Sequence, residues 1–195
     1  MHTFALQLAP VLATFGVMML IEAWPELIAM YPAAYLVMVG SGKGSWDDCG
    51  SEIAEYVRRR ELDAHVALVG HSDEVHEFMR AADLFVNPSD YEGFSLTLVE
   101  ALGCAIPVVT TAVGVAPEVI RDGSNGYLCP PKDKRALTAA IARALAERHR
   151  WASIGELGRE SVLVFDTAQI VERYLLLLGE LHSSASGEVS VTSSN

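Results

Sequence analysis

Short apolar runs alternate with longer amphipathic segments along most of the chain. Five runs are typical of buried strands, at 35–39 (YLVMV), 65–69 (HVALV), 84–86, 107–110 and 127–129. Helical spacing and capping residues predict helices at 17–29, 52–60, from 73, 95–102, 117–120, 132–146, 151–163 and from about 167 to 181. Continuous apolar runs indicate strands covered on both faces, and their alternation with helices indicates βαβ units. We therefore predict an α/β fold with a parallel sheet flanked by helices.

The loops that follow four of these strands carry most of the candidate chemistry. They are Gly40-Ser41-Gly42, Gly70-His71-Ser72, residues 88–95 and residues 110–114. Ligands of such sheets bind beyond the carboxyl ends of the strands. We therefore expect the four loops to lie on one edge of the sheet and to form the binding site there.

The N-terminal segment is unusually apolar. No charged residue occurs from Phe4 to Ile21, and 18 such residues approach the length of a membrane span. However, no Lys or Arg precedes the run, and Pro10 and Gly16 interrupt it. We favour a buried strand or loop followed by a core helix, with a membrane anchor as the alternative. The expected location is cytoplasmic, and peripheral membrane contact stays open.

The chain divides by composition into four parts. Residues 1–16 are interpreted as an altered or remnant N-terminal segment, and residues 17–164 as the main domain. Residues 165–182 are predicted to form a C-terminal helix, because Asp166 and Gln169 have the spacing of a capping box. Residues 183–195 are small and polar, which predicts a disordered tail.

Composition excludes several classes of protein. With 51% hydrophobic residues the chain is too apolar to be disordered, and its net charge of -11 argues against a nucleic-acid partner. The three cysteines, Cys49, Cys104 and Cys129, lie far apart in sequence. They form neither a zinc motif nor a disulfide framework, so we expect no metal and a reducing compartment.

The segment from Pro88 to Pro107 (PSDYEGFSLTLVEALGCAIP) is the most informative. A strand ends at its start, and a helix is predicted to open near Ser95. Gly93 allows the backbone to approach a ligand closely. The amides of Phe94, Ser95 and Leu96 would then lie at a helix N-terminus, which is a site suited to a diphosphate.

Two carboxylates flank that helix start. Glu100 is expected to accept hydrogen bonds from ribose hydroxyls, and Glu92 from hydroxyls of a second sugar beyond the phosphates. A glycosidase pair would need carboxyl groups about 5–5.5 Å or about 6.5–9.5 Å apart. Eight residues along a helix span roughly 12 Å, which suits the two ends of a long ligand better. A solvated helix charge is the competing interpretation of Glu100.

The region from Tyr35 to about Trp151 resembles the C-terminal, donor-binding domain of glycosyltransferase family 4. Glu92 and Glu100 reproduce the E-x7-E signature of that family within YEGFSLTLVEAL. LVMVGSG, VALVGHSDEV and AADLFVNPS precede the signature, and IPVVTTAVGVAPEVIRDGSNGYLCPP follows it. The resemblance implies a Rossmann-like parallel sheet flanked by helices, as the C-terminal half of a GT-B fold.

The resemblance also implies a role for each site residue. Glu92 would contact the transferred sugar as the catalytic carboxylate, and Glu100 would hold the ribose. The remaining donor-binding positions implied are Gly93, Phe94 and Ser95 at the sugar and diphosphate, and Gly40, Ser41, Gly42, Gly70 and His71 at the nucleoside. The implied reaction retains the anomeric configuration, uses a UDP- or GDP-sugar and needs no metal or other cofactor.

Two features depart from the family pattern. The family places a Lys before a Gly to neutralise the leaving diphosphate, but here Phe15 precedes Gly16, and no Arg or Lys occurs before Lys43. Only about 15 residues precede the first matching helix, where the family has an acceptor domain. Positive groups at a leaving diphosphate supply much of the catalysis. We therefore expect the chain to need an acceptor-domain subunit for transfer.

Three functions remain open from the sequence. The first is the donor-binding half of a glycosyltransferase, which the E-x7-E spacing favours. The second is a non-catalytic nucleotide-sugar-binding or interaction module, which Phe15 keeps in contention. The third is a sugar-nucleotide epimerase of the same architecture.

Overall fold

Six parallel strands form one sheet. The computed structural model describes residues 3–8, 14–40 and 49–187, and the side chains of residues 16–40 and 49–182. The strands are β1 (Thr3–Leu8), β2 (Ala34–Val39), β3 (Val66–Gly70), β4 (Leu84–Asn87), β5 (Val108–Thr111) and β6 (Tyr127–Cys129). Their order in the sheet is β3-β2-β1-β4-β5-β6, and every pairing is parallel. This result confirms the predicted fold class and the five predicted strands.

Helices connect successive strands and follow the last one. They are α1 (Thr14–Met30), α2 (Gly50–Arg59), α3 (Val75–Ala81), α4 (Leu96–Gly103), α5 (Ala116–Val119), α6 (Lys134–Ala146), α7 (Trp151–Val162) and α8 (Thr167–Gly187). Two 3-10 turns, Arg148–Arg150 and Leu163–Phe165, flank α7. Leu84, Phe85 and Val86 are all fully buried, as expected for a strand covered on both faces.

The chain divides into two compact units, residues 1–161 and 162–195. In the second unit, Asp166 caps α8, because its Oδ1 accepts a hydrogen bond from the Ala168 amide over 2.9 Å. The helix runs to Gly187 and is therefore longer than the predicted helix ending near residue 181. Residues 188–195 of the predicted tail lie outside the described residues.

The apolar N-terminal segment forms a central strand of the sheet and the helix that follows it. Strand β1 lies between β2 and β4, with Leu6 opposite both Val37 and Phe85. Helix α1 then buries an apolar face that includes Trp24, whose indole N–H donates to the carbonyl of His65 over 3.2 Å. Across the part of the chain that the structure describes, every helix is too short or too polar to cross a bilayer. The strand and the core helix favoured for this segment are both present.

The start of α1 packs tightly against the end of β4. A Cβ atom placed on Gly16 would lie 2.1 Å from the carbonyl oxygen of Pro88, so only glycine allows this approach. Helix α1 begins at Thr14, so the predicted boundary between residues 1–16 and 17–164 falls inside it. The close approach brings the beginning of α1 to the loop that follows β4.

The strand order defines one position for a ligand. Chain progression runs from β1 outward through β2 to β3, and from β4 outward through β5 to β6. Connections from β1 and β4 therefore depart in opposite directions, which opens a crevice at the carboxyl ends of these two strands. The loop after β4, with Glu92, borders that crevice.

We predict that Gly16→Ala lowers the free energy of unfolding by about 1–3 kcal/mol, because the added methyl group overlaps the Pro88 carbonyl. Urea denaturation followed by circular dichroism measures the change. Gly103→Ala is the matched control, since no atom lies within 4 Å of the added Cβ there. Its stability should be unchanged or higher by up to about 1 kcal/mol. Equal losses in the two variants would contradict the proposed close packing.

Candidate functional site

The ends of β2 and β3 meet at the carboxyl edge of the sheet. The amide of Gly40 donates to the carbonyl of Gly70 over 2.8 Å. Both residues have positive φ angles, 141° for Gly40 and 76° for Gly70, which favour glycine. The structure thus brings together two positions predicted to border a nucleoside. Ser41 and Gly42, predicted to act with them, lie outside the described residues.

His71 follows Gly70 at this edge and is exposed. Its Nε2 lies 3.4 Å from Oδ1 of Asp73, and both side chains are largely in solvent. A side-chain contact so exposed contributes little to stability. Neighbouring Ser72 accepts a hydrogen bond from the Glu74 amide over 3.1 Å, so it holds the turn before α3 rather than a helix that begins at Asp73.

One carboxylate oxygen of Glu92 is held by a buried hydroxyl group. The Ser89 hydroxyl lies 2.7 Å from Oε1 of Glu92 and donates to it. Ser89 is buried and Glu92 is half-buried. A hydrogen bond to a charged acceptor is stronger than one between neutral groups. The Glu92 carboxylate is therefore positioned before any ligand arrives.

Ser95 has a strained backbone at the entrance to α4. Its φ and ψ angles are 78° and 69°, in the left-handed region. The buried Ser95 hydroxyl accepts a hydrogen bond from Nδ2 of Asn87 over 3.0 Å. Such a conformation in a residue other than glycine costs about 1–3 kcal/mol and is frequent at functional sites. The Asn87 side chain compensates part of that cost.

Because Ser95 points toward Asn87, its side chain does not cap α4. The first turn of α4 also contains no acidic residue. Its first amide groups keep their hydrogen-bonding capacity, and the positive end of the helix dipole is not compensated by a side chain of that turn. Both features suit a bound anion, as the sequence predicts for this helix start.

Four buried polar side chains connect the ends of β4 and β5. The Ser89 hydroxyl lies 2.9 Å from Oδ1 of Asn87, so its single proton is shared between Asn87 and Glu92. Thr111 donates to the carbonyl of Ser89, and Asn87 donates to Ser95. We did not identify Asn87, Ser89 or Thr111 from the sequence. Polar residues at the ends of otherwise apolar strands are the signal that identifies them.

The loop after β5 supports the Glu92 loop from the other side. The amide of Val115 donates to the carbonyl of Phe94 over 2.9 Å. Gly114 has a φ angle of 55°, and a Cβ atom there would lie 2.7 Å from the Phe94 carbonyl oxygen and 2.9 Å from Cβ of Glu92. Glycine is required at this position by both its backbone angle and the lack of space.

The remaining predicted residues surround the start of α4. Gly93 is exposed, with open space around its Cα. Leu96 begins the helix and exposes 68% of its surface. Glu100 lies further along α4 and is exposed. The structure thus places Glu92, Gly93, Phe94, Ser95, Leu96 and Glu100 on one loop and helix, while their roles stay predictions.

Two nearby groups are unsuited to acid–base or nucleophilic chemistry near neutral pH. Burial, together with the charges of Asp133 and Asp122, raises the pKa of the Cys129 thiol to about 12. Burial also raises the pKa of Tyr127 to about 12, with the Glu147 charge acting in the same direction. Both groups stay protonated, and a protonated thiol is a weak nucleophile. Within residues 16–40 and 49–182, no three His, Cys, Asp or Glu side chains are arranged to hold a metal ion.

Comparison with known proteins identifies the family. A family model described as Glycosyl transferases group 1 matches residues 7–147. N-acetyl-alpha-D-glucosaminyl L-malate synthase of Bacillus anthracis is 32% identical over 155 residues, which make up 79% of this chain and 39% of that protein. The chain belongs to the group 1 glycosyl transferase family.

Solved structures show the same fold. Sucrose-phosphate synthase from Thermosynechococcus elongatus superposes with a TM-score of 0.82 at 29% identity, covering 94% of this chain and 46% of that one. Anabaena Alr3699/HepE, solved in complex with UDP and glucose, gives a TM-score of 0.80 at 24% identity over 92% of this chain and 48% of that one. The chain therefore has the fold of one half of a GT-B structure and spans about half the length of these two structures.

We predict that Ser89→Ala lowers the free energy of unfolding by about 1–3 kcal/mol, because it removes the one hydroxyl proton that the buried Asn87 and the half-buried Glu92 share. Ser153→Ala is the matched control, since the exposed Ser153 hydroxyl donates to a backbone carbonyl over 2.8 Å. That change should stay within about 0.5 kcal/mol. Denaturant unfolding of both variants measures the difference, and a neutral Ser89→Ala would contradict the role of the buried hydroxyl.

Proposed function

We propose that this chain is the donor-binding half of a retaining glycosyltransferase of family 4 and binds a UDP- or GDP-sugar. One observation carries the proposal. At the crevice of the sheet, the hydroxyl-bound carboxylate of Glu92 precedes the uncapped start of α4, and Glu100 lies on the same helix. This arrangement suits a ligand with an anionic centre between two groups of hydroxyls.

In the proposed complex, the diphosphate lies against the first turn of α4. The left-handed Ser95 keeps its side chain away from the helix end, so the amides at that end are available for phosphate oxygens. Glycine at position 93 leaves room for the ligand to approach the backbone. No acidic side chain of the first turn competes with the phosphate charge.

The two glutamates hold the sugars at either side of the diphosphate. Glu92 accepts hydrogen bonds from hydroxyls of the transferred sugar, and Glu100 accepts them from the ribose. Gly40 and Gly70, joined by their backbone, border the nucleoside. Retention of configuration and membership of family 4 rest on the E-x7-E spacing of Glu92 and Glu100. Anabaena HepE is known with UDP and glucose, and that likeness supports the fold that holds the site.

Transfer of the sugar requires positive charge at the leaving diphosphate, and we propose that the groups carrying it lie outside this site. Gly16 lies against Pro88, so position 15 is at the start of α1 beside the loop that leads to Glu92. This position carries Phe15 rather than a cation. A leaving diphosphate needs positive charge for fast reaction. We propose that the chain binds the donor and that an acceptor-binding domain, covalently joined or separate, completes the enzyme.

Phe15 also supports a second candidate function. A chain that binds nucleotide sugars without transferring them needs the amides of α4 and the two glutamates, but no cation at the leaving group. The non-catalytic binding module therefore makes the same binding prediction and differs in turnover. Glycosyl-transfer assays of the chain with candidate acceptor domains distinguish the two functions.

We predict that calorimetric titration detects binding of UDP-glucose or GDP-mannose, and of the matching nucleotide. Glu100→Gln should weaken sugar nucleotide and free nucleotide alike by at least about tenfold, or ~1.4 kcal/mol, because it loses a charged acceptor for the ribose. Glu92→Gln should weaken only the sugar nucleotide to this extent, because free nucleotide lacks the transferred sugar.

Glu26→Gln is the matched control, since Glu26 is exposed on α1 and its loss changes the net charge equally. Its affinities should stay within about twofold of the unmodified chain. Absence of binding by all four ligands would overturn the proposal. Equal weakening of free nucleotide by Glu92→Gln would remove the assignment of Glu92 to the transferred sugar.

A further inference from the structure

A cavity is lined by residues of α1, the loop after β4 and the start of α6. It has a volume of about 370 Å³ and is lined by Met19 and Glu22 of α1, Asp90 of the loop after β4, and Lys132 and Lys134 at the start of α6. Small-molecule sites have volumes of about 300–1,000 Å³. None of these five residues belongs to the proposed donor site, so any ligand of this cavity would be a different one.

Asp90 is the unusual residue of this cavity. Both of its carboxylate oxygens are buried, and they have no hydrogen-bond partner among the described residues. Its neighbours Ser89 and Glu92 are hydrogen-bonded to each other. Leaving a buried hydrogen-bonding group unpaired is costly, and such a group in a folded protein requires an explanation. A hydrogen-bond donor that reaches Asp90 from the cavity, after rotation of the side chain, would remove this cost.

Two lysines line the same cavity. Lys134 lies 3.3 Å from Oε2 of Glu22, and both side chains are partly exposed. Lys132 has a φ angle of 60°, a backbone conformation that glycine adopts without strain. The chain therefore has a cation at a position where backbone geometry favours glycine. Strain of this kind is frequent at ligand-binding positions.

We propose that this cavity is a second ligand site, which binds a phosphorylated sugar or a similar phosphorylated polyol. The phosphate group lies between Lys132 and Lys134, and a hydroxyl group of the same molecule donates to Asp90. Two lysines and the unpaired carboxylate of Asp90 in one cavity fit a ligand with an anionic end and a hydroxyl-bearing end. The site does not depend on the nucleotide proposal, because it uses neither Glu92 nor Glu100.

The experiment titrates the full chain with glucose 6-phosphate, inorganic phosphate and glucose, by calorimetry at fixed ionic strength. Glucose 6-phosphate should bind at least about tenfold more tightly than either of the other two, because only it satisfies both ends of the cavity. Asp90→Asn and Lys132→Gly should each weaken glucose 6-phosphate by at least about tenfold. Arg135→Gln, which removes an exposed neighbouring charge outside the cavity, should change the affinity less than about twofold.

Lys132→Gly also separates binding from folding. Glycine tolerates the φ angle of 60°, so the variant should have a Tm equal to or above that of the unmodified chain. Glu100→Gln should keep its affinity for glucose 6-phosphate, which distinguishes this site from the proposed donor site. The proposal is overturned if glucose 6-phosphate does not bind, which would mean that the cavity holds water only. It is also overturned if inorganic phosphate binds as tightly, or if Asp90→Asn binds like the unmodified chain.

Discussion

The buried hydrogen bonds at the end of β4 are the constraint on which the site depends. Asn87 holds Ser95 in a left-handed conformation, and Ser89 holds the Glu92 carboxylate. Thr111 joins this group to β5 through the carbonyl of Ser89. Buried polar groups have few alternative hydrogen-bond partners, so each hydrogen bond limits the positions of the side chains that make the next one. As a result, one short loop presents a fixed carboxylate and an uncapped helix end to the same crevice.

Packing at two glycines keeps that loop in place. Gly16 allows α1 to approach the carbonyl of Pro88, and Gly114 allows the loop after β5 to approach Glu92 and Phe94. The Glu92 loop is therefore supported from β1, through α1, and from β5. Because the chain adds strands in opposite directions from β1 and from β4, the loop borders the natural ligand crevice of the fold.

Most of the fold follows from local patterns. The five later strands are continuous apolar runs that end at Gly, Pro or polar residues, and such runs are typical of a sheet covered on both faces. Strand β1 was harder to predict, because its apolar run continues without a charge toward α1 and also fits a membrane span. The partner of the buried Trp24 is not visible in the sequence either, since its indole N–H donates to the carbonyl of His65, 41 residues away.

The sequence by itself determined the α/β class, the positions of the strand ends and the pair of glutamates around α4, because periodicity and spacing are local properties. Tertiary structure alone decided how the Glu92 carboxylate is held and which residues line the cavity at Asp90. Thr111 and Ser89 are 22 residues apart, and Lys134 and Glu22 are 112 apart. Contacts over such separations arise only when the sheet order brings the strand ends together. The burial of the Asp90 carboxylate also depends on the tertiary structure, since in the sequence Asp90 resembles any other aspartate of a loop.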